Sequence, residues 1–513
     1  MAHTMMAAFL KEAESFEIPS TVEQEQKQSC ITNEQSSGVE EISQVDDTGA
    51  LRSGKLLIAA CNDWENMTGK GPTGLDELHE ISVNQPVKRT FSSSSSMHCF
   101  ILLNDGKLMA LGRNDKGQCG HTGKENPGVY FEPILVPLVP KLKVLTVSTG
   151  RSHSILLSAH GELFALGSNE FGQLGLGASC KSVSSFTKIN GIPAVVDAAC
   201  GHDFTIACTK SDGQLYSWGH PEYGQLGHGT TGSFIRDGGR GAAVQYDTIS
   251  TPKRVELFVQ KDSHNRTTHS YLGKDIAIRK VACGRNHSIC IEDWEDQSAE
   301  ANLKCGNDNS ITGTQPLRLN RVFSFGFGGY GRLGHGSGIT SDELVPREVT
   351  TFSQSTSGIP SRPTNPQKQV RSIVAGSSFS LCVTASGTLY HWGKMASAKG
   401  GESTMYPKIV TDLQTMPCGE RVAAGHNSVI VGFNDCAVAW GAPPAGKFGL
   451  EGGARSSTVP KYVSEVDNLF VVDVSAGYGH VCYVVRDRGH DSTATTKYAA
   501  FPVLSAPKKR KRE

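Results

Sequence analysis

Two short sequence phrases alternate along most of this 513-residue chain. The first phrase is G-x-x-H, or a variant of it, followed by an apolar run. The second phrase is an aromatic or apolar residue plus glycine, followed by a glycine-rich loop, as in WGHPEYGQLGHG at residues 218–229. Copies of the first phrase have their fourth positions at His98, His153, Phe204, His287, Phe379, Ser428 and His480.

The spacing of these fourth positions is nearly regular, at 55, 51, 83, 92, 49 and 52 residues. Four intervals lie close to 50 residues, and each of the two long ones fits one such unit plus an insert. A period of this length is typical of repeat architectures in which each repeat is one supersecondary unit. The chain therefore contains seven copies of one structural unit.

Hairpin signals lie between the two phrases and indicate the secondary structure of the unit. Asp105-Gly106, Asp212-Gly213 and Ser386-Gly387 are each flanked by apolar runs. Asp-Gly between apolar runs favours a tight hairpin, because both central residues of such a turn need positive φ. Apart from short stretches in the inserts, no segment keeps a helical apolar period. Four strands per unit and seven units predict an all-β, seven-bladed β-propeller rather than a solenoid.

The two ends of the repeat region predict how the ring closes. The seventh unit begins at Gly477 and has no second phrase after it. Near the N-terminus, residues 54–60 (GKLLIAA) align with residues 213–219 (GQLYSWG) as a second phrase without a first. We therefore expect this N-terminal strand to complete the last blade of a propeller that spans residues 51–490.

Two tails and two inserts lie outside the repeats. Residues 1–50 hold ten acidic residues and two lysines and are predicted to form a disordered acidic tail. The inserts span about residues 230–274 and 294–321, and the second is rich in Asn, Asp, Ser and Gly. Residues 491–513 are predicted to be a flexible tail. It carries a basic cluster typical of a nuclear localisation signal, with a solvated charge run as the alternative; the cluster is Lys508, Lys509, Arg510, Lys511 and Arg512.

Composition and charge exclude several classes of protein. The 57 glycines have no G-X-Y period, so the chain is not collagen-like. No apolar run approaches the ~18 residues of a membrane-spanning helix, and we expect no membrane span. A formal net charge of zero argues against nucleic-acid binding driven by the net charge of the whole chain. The 14 cysteines include no C-x-x-C and are predicted to be reduced, buried thiols of a soluble intracellular protein.

Several apparent motifs for ligands or catalysis lose their meaning inside the repeat. Gly326-x-Gly328-x-x-Gly331 matches a dinucleotide fingerprint, but it opens no helix in a βαβ unit. Equivalent histidines can in principle gather around a zinc ion, but the other copies carry Phe or Ser at that position. We expect each of these histidines to hydrogen-bond within its own blade. No catalytic, cofactor-binding or metal-binding residues are predicted.

The repeats resemble those of the regulator-of-chromosome-condensation family, over roughly residues 51–488. HPEYGQLGH at residues 220–228, GFGGYGRLGH at 326–335 and ESTMYPK at 402–408 resemble a mitotic branch of that family. The resemblance implies a seven-bladed propeller. One departure is that this chain has an acidic N-terminus and a basic C-terminus, whereas the import signal of the mitotic branch lies in a basic N-terminal region.

The resemblance also implies a function, namely regulation of small GTPases by guanine-nucleotide exchange or by sensing the nucleotide state. The implied partners are a GTPase of the Rho, Ral, Arf or Ran class, a nuclear import receptor, and chromatin or microtubule-associated proteins. Roles in mitosis, chromosome segregation and cytoskeleton control are implied, at the centromere, spindle midzone and midbody, with a nuclear and cytoplasmic location. The alternative is a non-catalytic propeller scaffold that docks such partners.

Nucleotide exchange makes no covalent bond and requires a surface that binds the nucleotide-free GTPase better than the loaded one. The founding exchange factor of the family uses a protruding wedge on one propeller face, and no residue of that wedge is matched here. The first insert is the candidate, because binding residues tend to lie on loops held by a rigid scaffold. The predicted GTPase contacts are Lys261, Asp262, His264, Asn265 and Arg266; a disordered surface insert is the alternative.

Overall fold

The computed structural model describes residues 54–59, 77–121, 128–235, 244–262, 264–292, 320–336, 338–352, 369–395, 403–442, 450, 456–487 and 499–500. All of them belong to one compact unit, Arg52–Glu513. The predicted acidic tail, the basic cluster at 508–512 and nearly all of the insert at 294–321 lie outside the described residues. Within the described ranges, no helix has the length and apolar character needed to cross a bilayer.

The described residues form strands joined by turns and a few short 3-10 turns. In the first half of the chain the strands are β1 (Lys55–Ala59), β2 (His79–Ile81), β3 (Val87–Phe91), β4 (His98–Leu103), β5 (Leu108–Arg113), β6 (Val129–Leu135), β7 (Val144–Thr149), β8 (His153–Ser158), β9 (Leu163–Ser168), β10 (Ser182–Lys188), β11 (Val195–Cys200), β12 (Phe204–Thr209), β13 (Leu215–Gly219), β14 (Ser233–Ile235), β15 (Val244–Tyr246) and β16 (Ile249–Arg254).

In the second half the strands are β17 (Leu257–Lys261), β18 (Thr267–Leu272), β19 (Ile278–Cys283), β20 (His287–Glu292), β21 (Val322–Gly326), β22 (Glu343–Glu348), β23 (Val370–Ala375), β24 (Phe379–Thr384), β25 (Leu389–Lys394), β26 (Ser403–Ile409), β27 (Val422–Ala424), β28 (Ser428–Gly432), β29 (Ala437–Gly441), β30 (Ser457–Tyr462), β31 (Phe470–Ala476), β32 (Val481–Arg486) and β33 (Ala499–Ala500).

These strands form seven blades of antiparallel sheet. Blades one and two are β3–β6 and β7–β10, blade three is β11-β12-β13-β16, and blade four is β19–β22. Blades five and six are β23–β26 and β27–β30, and blade seven is β31-β32-β1-β2, with β33 on its edge. The hairpin β14–β15 forms a sheet of its own, and β17–β18 extends blade four to six strands. Both hairpins belong to the segment 230–274, which also contains β16, the outer strand of blade three.

The apolar core lies between the blades. Among the described residues, each of seven buried clusters draws its side chains from two neighbouring blades. One cluster joins blade seven to blade one, with Ile58 and Cys482 packed together with Val87 and Ile101. The interfaces therefore form a closed ring, and the predicted all-β, seven-bladed β-propeller is confirmed.

Strand β1 closes this ring as predicted. It pairs antiparallel with β32 from Lys55↔Val485 to Ala59↔Val481 and takes the third position in blade seven. Because successive side chains of a strand point to opposite faces, its residues fill two interfaces. Leu57 packs against blade six and Ile58 against blade one, and both are 0% exposed.

The first phrase keeps its glycine because a ring lies directly over that residue. A Cβ atom at Gly150 would lie 2.1 Å from the Cε1 atom of His153. At Gly201, which precedes a phenylalanine instead, it would lie 1.9 Å from the Phe204 ring. In these copies a Cβ atom at the first position would collide with the fourth-position ring, whether imidazole or phenyl, whereas the degenerate copy at His98 has Ser95 there.

The buried histidines of the first phrase fasten neighbouring blades together. The bonds join His98 Nε2 to Ser154 Oγ at 2.7 Å, His153 Nε2 to Thr205 Oγ1 at 3.2 Å, and His287 Nε2 to Ser380 Oγ at 3.0 Å. The expectation that each histidine bonds within its own blade is wrong, because each partner belongs to the next blade. Burial lowers the pKa of His98 and His153 to about 3, so both rings are neutral near pH 7.

Candidate functional site on the glycine-loop face

One end of every blade carries both recurring phrases. In a four-stranded antiparallel blade, the turn between the first two strands and the loop between the last two lie at the same end. The first phrase supplies that turn and the second supplies that loop, so both phrases lie on one face of the propeller. We call it the glycine-loop face.

The second residue of the first phrase lies close to the propeller axis in each blade. The first strands of neighbouring blades contact one another all the way round the ring, so these strands are innermost. Backbone bonds link their turns, as from Arg151 N–H to His202 O and from His202 N–H to Arg285 O, both 3.1 Å. We call this set the axial ring; it contains Ser96, Arg151, His202, Arg285, Ser377, His426 and Tyr478.

The axial ring contains two arginines, Arg151 and Arg285, and two histidines, His202 and His426. Arg151 pairs with Asp203 at 3.0 Å. The pKa of His202 is lowered to about 3. Burial is the largest cause, and the charges of Arg151 and Arg285 lower it further. Burial and then Arg285 lower the pKa of His426 to about 4. Both imidazoles are therefore neutral at pH 7, and the positive charge of the ring rests on the arginines.

A third arginine lies behind the axial ring in the glycine loop of blade four. Arg332 is 3% exposed, and its Nη1 donates to the carbonyl of Ser377 at 3.0 Å. Its guanidinium also packs 4.5 Å from the Phe327 ring. The equivalent residue of blade three is Gln225, whose Oε1 accepts the Tyr223 N–H at 2.8 Å. No feature of the sequence indicates that the arginine of GFGGYGRLGH is buried.

Ring contacts join neighbouring glycine loops around the outside of the axial ring. The loop tip of one blade packs on the first loop residue of the next, or on the last residue of the strand leading into that loop. The pairs are Phe171–His220 at 4.8 Å, Tyr223–Phe327 at 4.9 Å, and Lys394 Nζ over the Tyr330 ring at 5.2 Å. Tyr330 is 51% exposed and has a φ of 63°. Blades two to four therefore share a partly exposed aromatic belt on this face, and Lys394 of blade five packs on its end.

The hairpin β14–β15 extends from the glycine loop of blade three and pairs with none of the blades. Its described pairs include Phe234↔Gln245, and its base contacts the loop through His220 and Tyr246, whose rings lie 5.4 Å apart. Phe234 is 40% exposed and Val244 is 56% exposed. The hairpin therefore offers apolar side chains to solvent beside the aromatic belt. Residues 236–243 lie outside the described part of the chain.

The predicted partner-binding residues lie at the end of β17 and in the turn of the other hairpin, β17–β18. Lys261 ends β17 and places its Nζ 2.6 Å from Oε2 of Glu343, which is 2% exposed. Asn265 has a φ of 64°, and its Oδ1 accepts a hydrogen bond from Arg347 Nη1 at 2.8 Å. Glu343 begins β22, directly after the glycine loop of blade four, so this turn lies at the glycine-loop end of the blade.

The remaining predicted residues shape the turn and form its exposed tip. Asp262 accepts the backbone N–H groups of His264 and Arg266 through one carboxylate oxygen, both at 2.9 Å. Its other oxygen accepts from Arg266 Nε at 2.9 Å. The Arg266 side chain is 75% exposed, and His264 is exposed as well. Lys261, Asp262 and Asn265 thus hold the turn, while His264 and Arg266 form the surface that it presents.

One histidine and two cysteines come together near the ring closure. Cys99, His480 and Cys482 have ligand atoms within 4.8 Å of one another, and all three residues are buried. No other group of potential metal ligands occurs in the part of the chain that the structure describes. The equivalent histidines of the first phrase face different blade interfaces and do not converge on one ion.

Comparison with known proteins identifies the family. Residues 69–483 match the family model of the RCC1-like domain. The chain belongs to the RCC1-like domain family. Protein RCC2 of Homo sapiens is 34% identical over 460 residues, which cover 86% of this chain and 77% of the relative. Protein RCC2 of Mus musculus is equally similar, at 34% identity over 86% of this chain and 78% of the relative. The family resemblance of the repeats is confirmed.

Solved structures of RCC1-like proteins share the propeller. Prp20p from Saccharomyces cerevisiae, described with its binding properties to Gsp1p and histones, has a TM-score of 0.58 and 16% identity, covering 86% of this chain and 93% of that chain. The structure of Kap60 bound to yeast RCC1 (Prp20) has the same TM-score and identity, covering 92% and 97%. At this level of identity the comparison supports the fold.

Proposed function

We propose that this RCC1-like protein regulates a small GTPase and acts on it as a guanine-nucleotide exchange factor. Its relatives include Protein RCC2, and a protein of the same fold, Prp20p, is described with its binding to Gsp1p. Exchange follows when the propeller binds the nucleotide-free GTPase better than the loaded form. The proposal is independent of covalent chemistry and requires only a surface of suitable shape and charge.

The observation that carries the proposal is the hairpin β14–β15. All other described strands belong to the sheets of the seven blades. This hairpin forms a separate sheet, and its Phe234 and Val244 are exposed. Exposed apolar side chains on a rigid scaffold favour a protein-binding site. In the founding exchange factor a protruding wedge has this role, and we assign the same role to β14–β15.

The turn of β17–β18 provides the second contact of the proposed interface. His264 and Arg266 meet the GTPase there, while Lys261, Asp262 and Asn265 keep the turn in place through Glu343 and Arg347. An exposed arginine at the rim of an interface acts mainly on the rate of association and on its salt dependence. Arg266→Glu is therefore expected to slow GTPase binding without unfolding the hairpin.

The test is nucleotide release from purified GTPases of the Rho, Ral, Arf and Ran classes. We expect the full chain to accelerate release from one class. The variant Phe234→Ala/Val244→Ala is expected to lose most of that acceleration. Leu135→Ala is the matched control, because Leu135 is as exposed as Val244, at 56%, but lies on the outer strand of blade one. Binding without acceleration would favour the scaffold function. The absence of both binding and acceleration would refute GTPase regulation.

We also propose a nuclear location, with import through Lys508–Arg512, and mitotic roles at the centromere, spindle midzone and midbody. The support is the dense basic cluster and the relation to Protein RCC2, and a yeast protein of this fold has been solved bound to Kap60. Replacing the five basic residues with alanine is expected to lower the nuclear fraction of the tagged chain. An unchanged nuclear fraction would remove the import assignment and leave the GTPase assignment intact.

A further inference from the structure

The interface between blades seven and one brings together three side chains that can bind a metal ion. Cys99 lies on β4 of blade one, Cys482 lies on β32 of blade seven, and His480 immediately precedes β32. Their ligand atoms lie within 4.8 Å of one another. Cys99 and Cys482 are 0% exposed, and His480 is 2% exposed. We call these three residues the closure cluster, because they lie where the ring of blades closes.

The repeat explains why His480 faces Cys99. In three other blades the fourth-position histidine uses its Nε2 atom to bond a hydroxyl group of the next blade, on the residue after the fourth position. Those pairs are His98–Ser154, His153–Thr205 and His287–Ser380. The same rule directs His480 of blade seven to blade one, where the thiol of Cys99 replaces the hydroxyl group.

Cys482 is a second departure from the repeat at the same place. The other six blades carry only large apolar side chains at its position, namely Phe100, Ile155, Ile206, Ile289, Leu381 and Ile430. One thiol thus replaces a hydroxyl group and another replaces an apolar side chain, and both lie beside one histidine. Core packing alone requires neither change, since the other blades pack without them.

We propose that Cys99, His480 and Cys482 bind a zinc ion between blades seven and one. Two thiolates and one imidazole bind zinc at about 2.3 Å and about 2.0–2.1 Å, which places tetrahedral ligand atoms about 3.5–3.8 Å apart. Because the present separations are at most 4.8 Å, each ligand atom needs to move by no more than about 0.6 Å.

A fourth ligand position lies beside the histidine. Ser92 Oγ is 2.8 Å from His480 Nε2, and Ser92 is only half-buried. Zinc binding to Nε2 replaces this hydrogen bond, and the serine hydroxyl or a water molecule from solvent becomes the fourth ligand. Three protein ligands with a fourth position for oxygen are a common arrangement of zinc sites.

Charge balance selects zinc for this buried place. Burial lowers the pKa of His480 to about 3, so its ring is the neutral imidazole that binds metals. Both cysteines pack in an apolar cluster, where an uncompensated charge is costly. Zn²⁺ balances the charge of two thiolates, whose protons pass to solvent on binding. Cu⁺ with the same ligands leaves one buried negative charge, and Mg²⁺ and Ca²⁺ prefer oxygen ligands.

Metal binding by the full, untagged chain tests the proposal. After treatment with a chelator, the reduced chain should rebind one Zn²⁺, which should raise its thermal midpoint because the ion binds the folded state. Co²⁺ should give the near-ultraviolet absorption of a thiolate–cobalt complex. Cys99→Ser restores the hydroxyl group found in other blades and should weaken zinc binding at least about tenfold, since even second-shell changes cost about 10–100-fold.

Cys382→Ser is the matched control, because Cys382 is also 0% exposed and lies on β24, outside the closure cluster. Urea midpoints of the zinc-free variants verify that they fold. If Cys99→Ser does not fold, Cys482→Ala and Cys382→Ala provide the same comparison, and the wild-type measurements need no variant. The proposal is overturned if the wild type rebinds no zinc, if its Co²⁺ complex lacks thiolate absorption, or if the cluster variant and its control bind zinc equally. The result is independent of GTPase regulation.

Discussion

Strand β1 is expected to stabilise the whole propeller rather than a single blade. Leu57 is 0% exposed and packs with residues of blades six and seven, including Ile430 and Tyr483. Truncation of a buried leucine to alanine removes its transfer free energy and leaves a cavity, which together cost about 2–5 kcal/mol. Native domains have a free energy of unfolding of about 5–15 kcal/mol, so Leu57→Ala alone should lower this free energy by a large fraction.

The chain offers a matched control and a suitable probe for this prediction. Lys55 lies on the same strand with an exposed side chain, and Lys55→Ala should change the free energy of unfolding by less than about 0.5 kcal/mol. Trp218, Trp392 and Trp440 are buried in blades three, five and six, none of which contains β1. Their fluorescence therefore reports on parts of the ring to which β1 does not belong.

The assay is urea unfolding followed by tryptophan fluorescence. If the closing strand stabilises the ring, Leu57→Ala lowers the fluorescence midpoint well below that of Lys55→Ala. Deleting residues 51–64 should abolish the cooperative transition altogether. Equal midpoints for Leu57→Ala and Lys55→Ala, or a deletion variant that still unfolds cooperatively at an unchanged midpoint, would refute the reasoning.

Three further predictions follow from buried polar groups. Burial lowers the pKa of His153 to about 3, so the unfolded chain, with a histidine pKa near 6.5, binds more protons below that pH. The stability advantage of the wild type over His153→Asn should thus be full above pH 6.5 and shrink below it, by up to about 1.4 kcal/mol per pH unit in urea titrations; a pH-independent difference would contradict this. Lys261→Glu should lower the thermal midpoint, because it places a second carboxylate beside buried Glu343, whereas Arg266→Glu should leave the midpoint nearly unchanged. Asp197→Ala should cost about 1–3 kcal/mol in urea unfolding, because a backbone N–H of the next blade loses its acceptor; a loss under about 0.5 kcal/mol would argue against this bond.

Much of the fold follows from local sequence signals. The Asp105-Gly106 and Asp212-Gly213 pairs mark turns that the structure places between β4 and β5 and between β12 and β13. Gly106 and Gly213 have φ values of 83° and 64°, but Asp105 and Asp212 do not have positive φ, so the expectation that both central residues are left-handed is wrong for these turns. The unpaired second phrase at residues 54–60 likewise predicts the partner of β32, because every complete unit contains both phrases.

The site is less accessible to such reasoning, because its contacts join residues far apart in the chain. His98 bonds Ser154 of the next blade, and nothing within its own repeat indicates that direction. Lys261 resembles a free surface cation in the sequence, but the buried Glu343 holds it, 82 residues away. The hairpin β14–β15 lies between β13 and β16 in the chain, but those two strands pair with each other and not with the hairpin. Local strand propensity does not indicate which of these strands pair.

We propose that the glycine-loop face recognises a GTPase through β14–β15. The most direct measurement is the affinity of the full chain for the nucleotide-free form of the GTPase class whose nucleotide release it accelerates. Phe234→Ala/Val244→Ala should weaken this affinity at least about tenfold, while Leu135→Ala should leave it within about twofold of the wild type. Equal affinities for the wild type and both variants would contradict the claim and place the GTPase on another surface of the propeller.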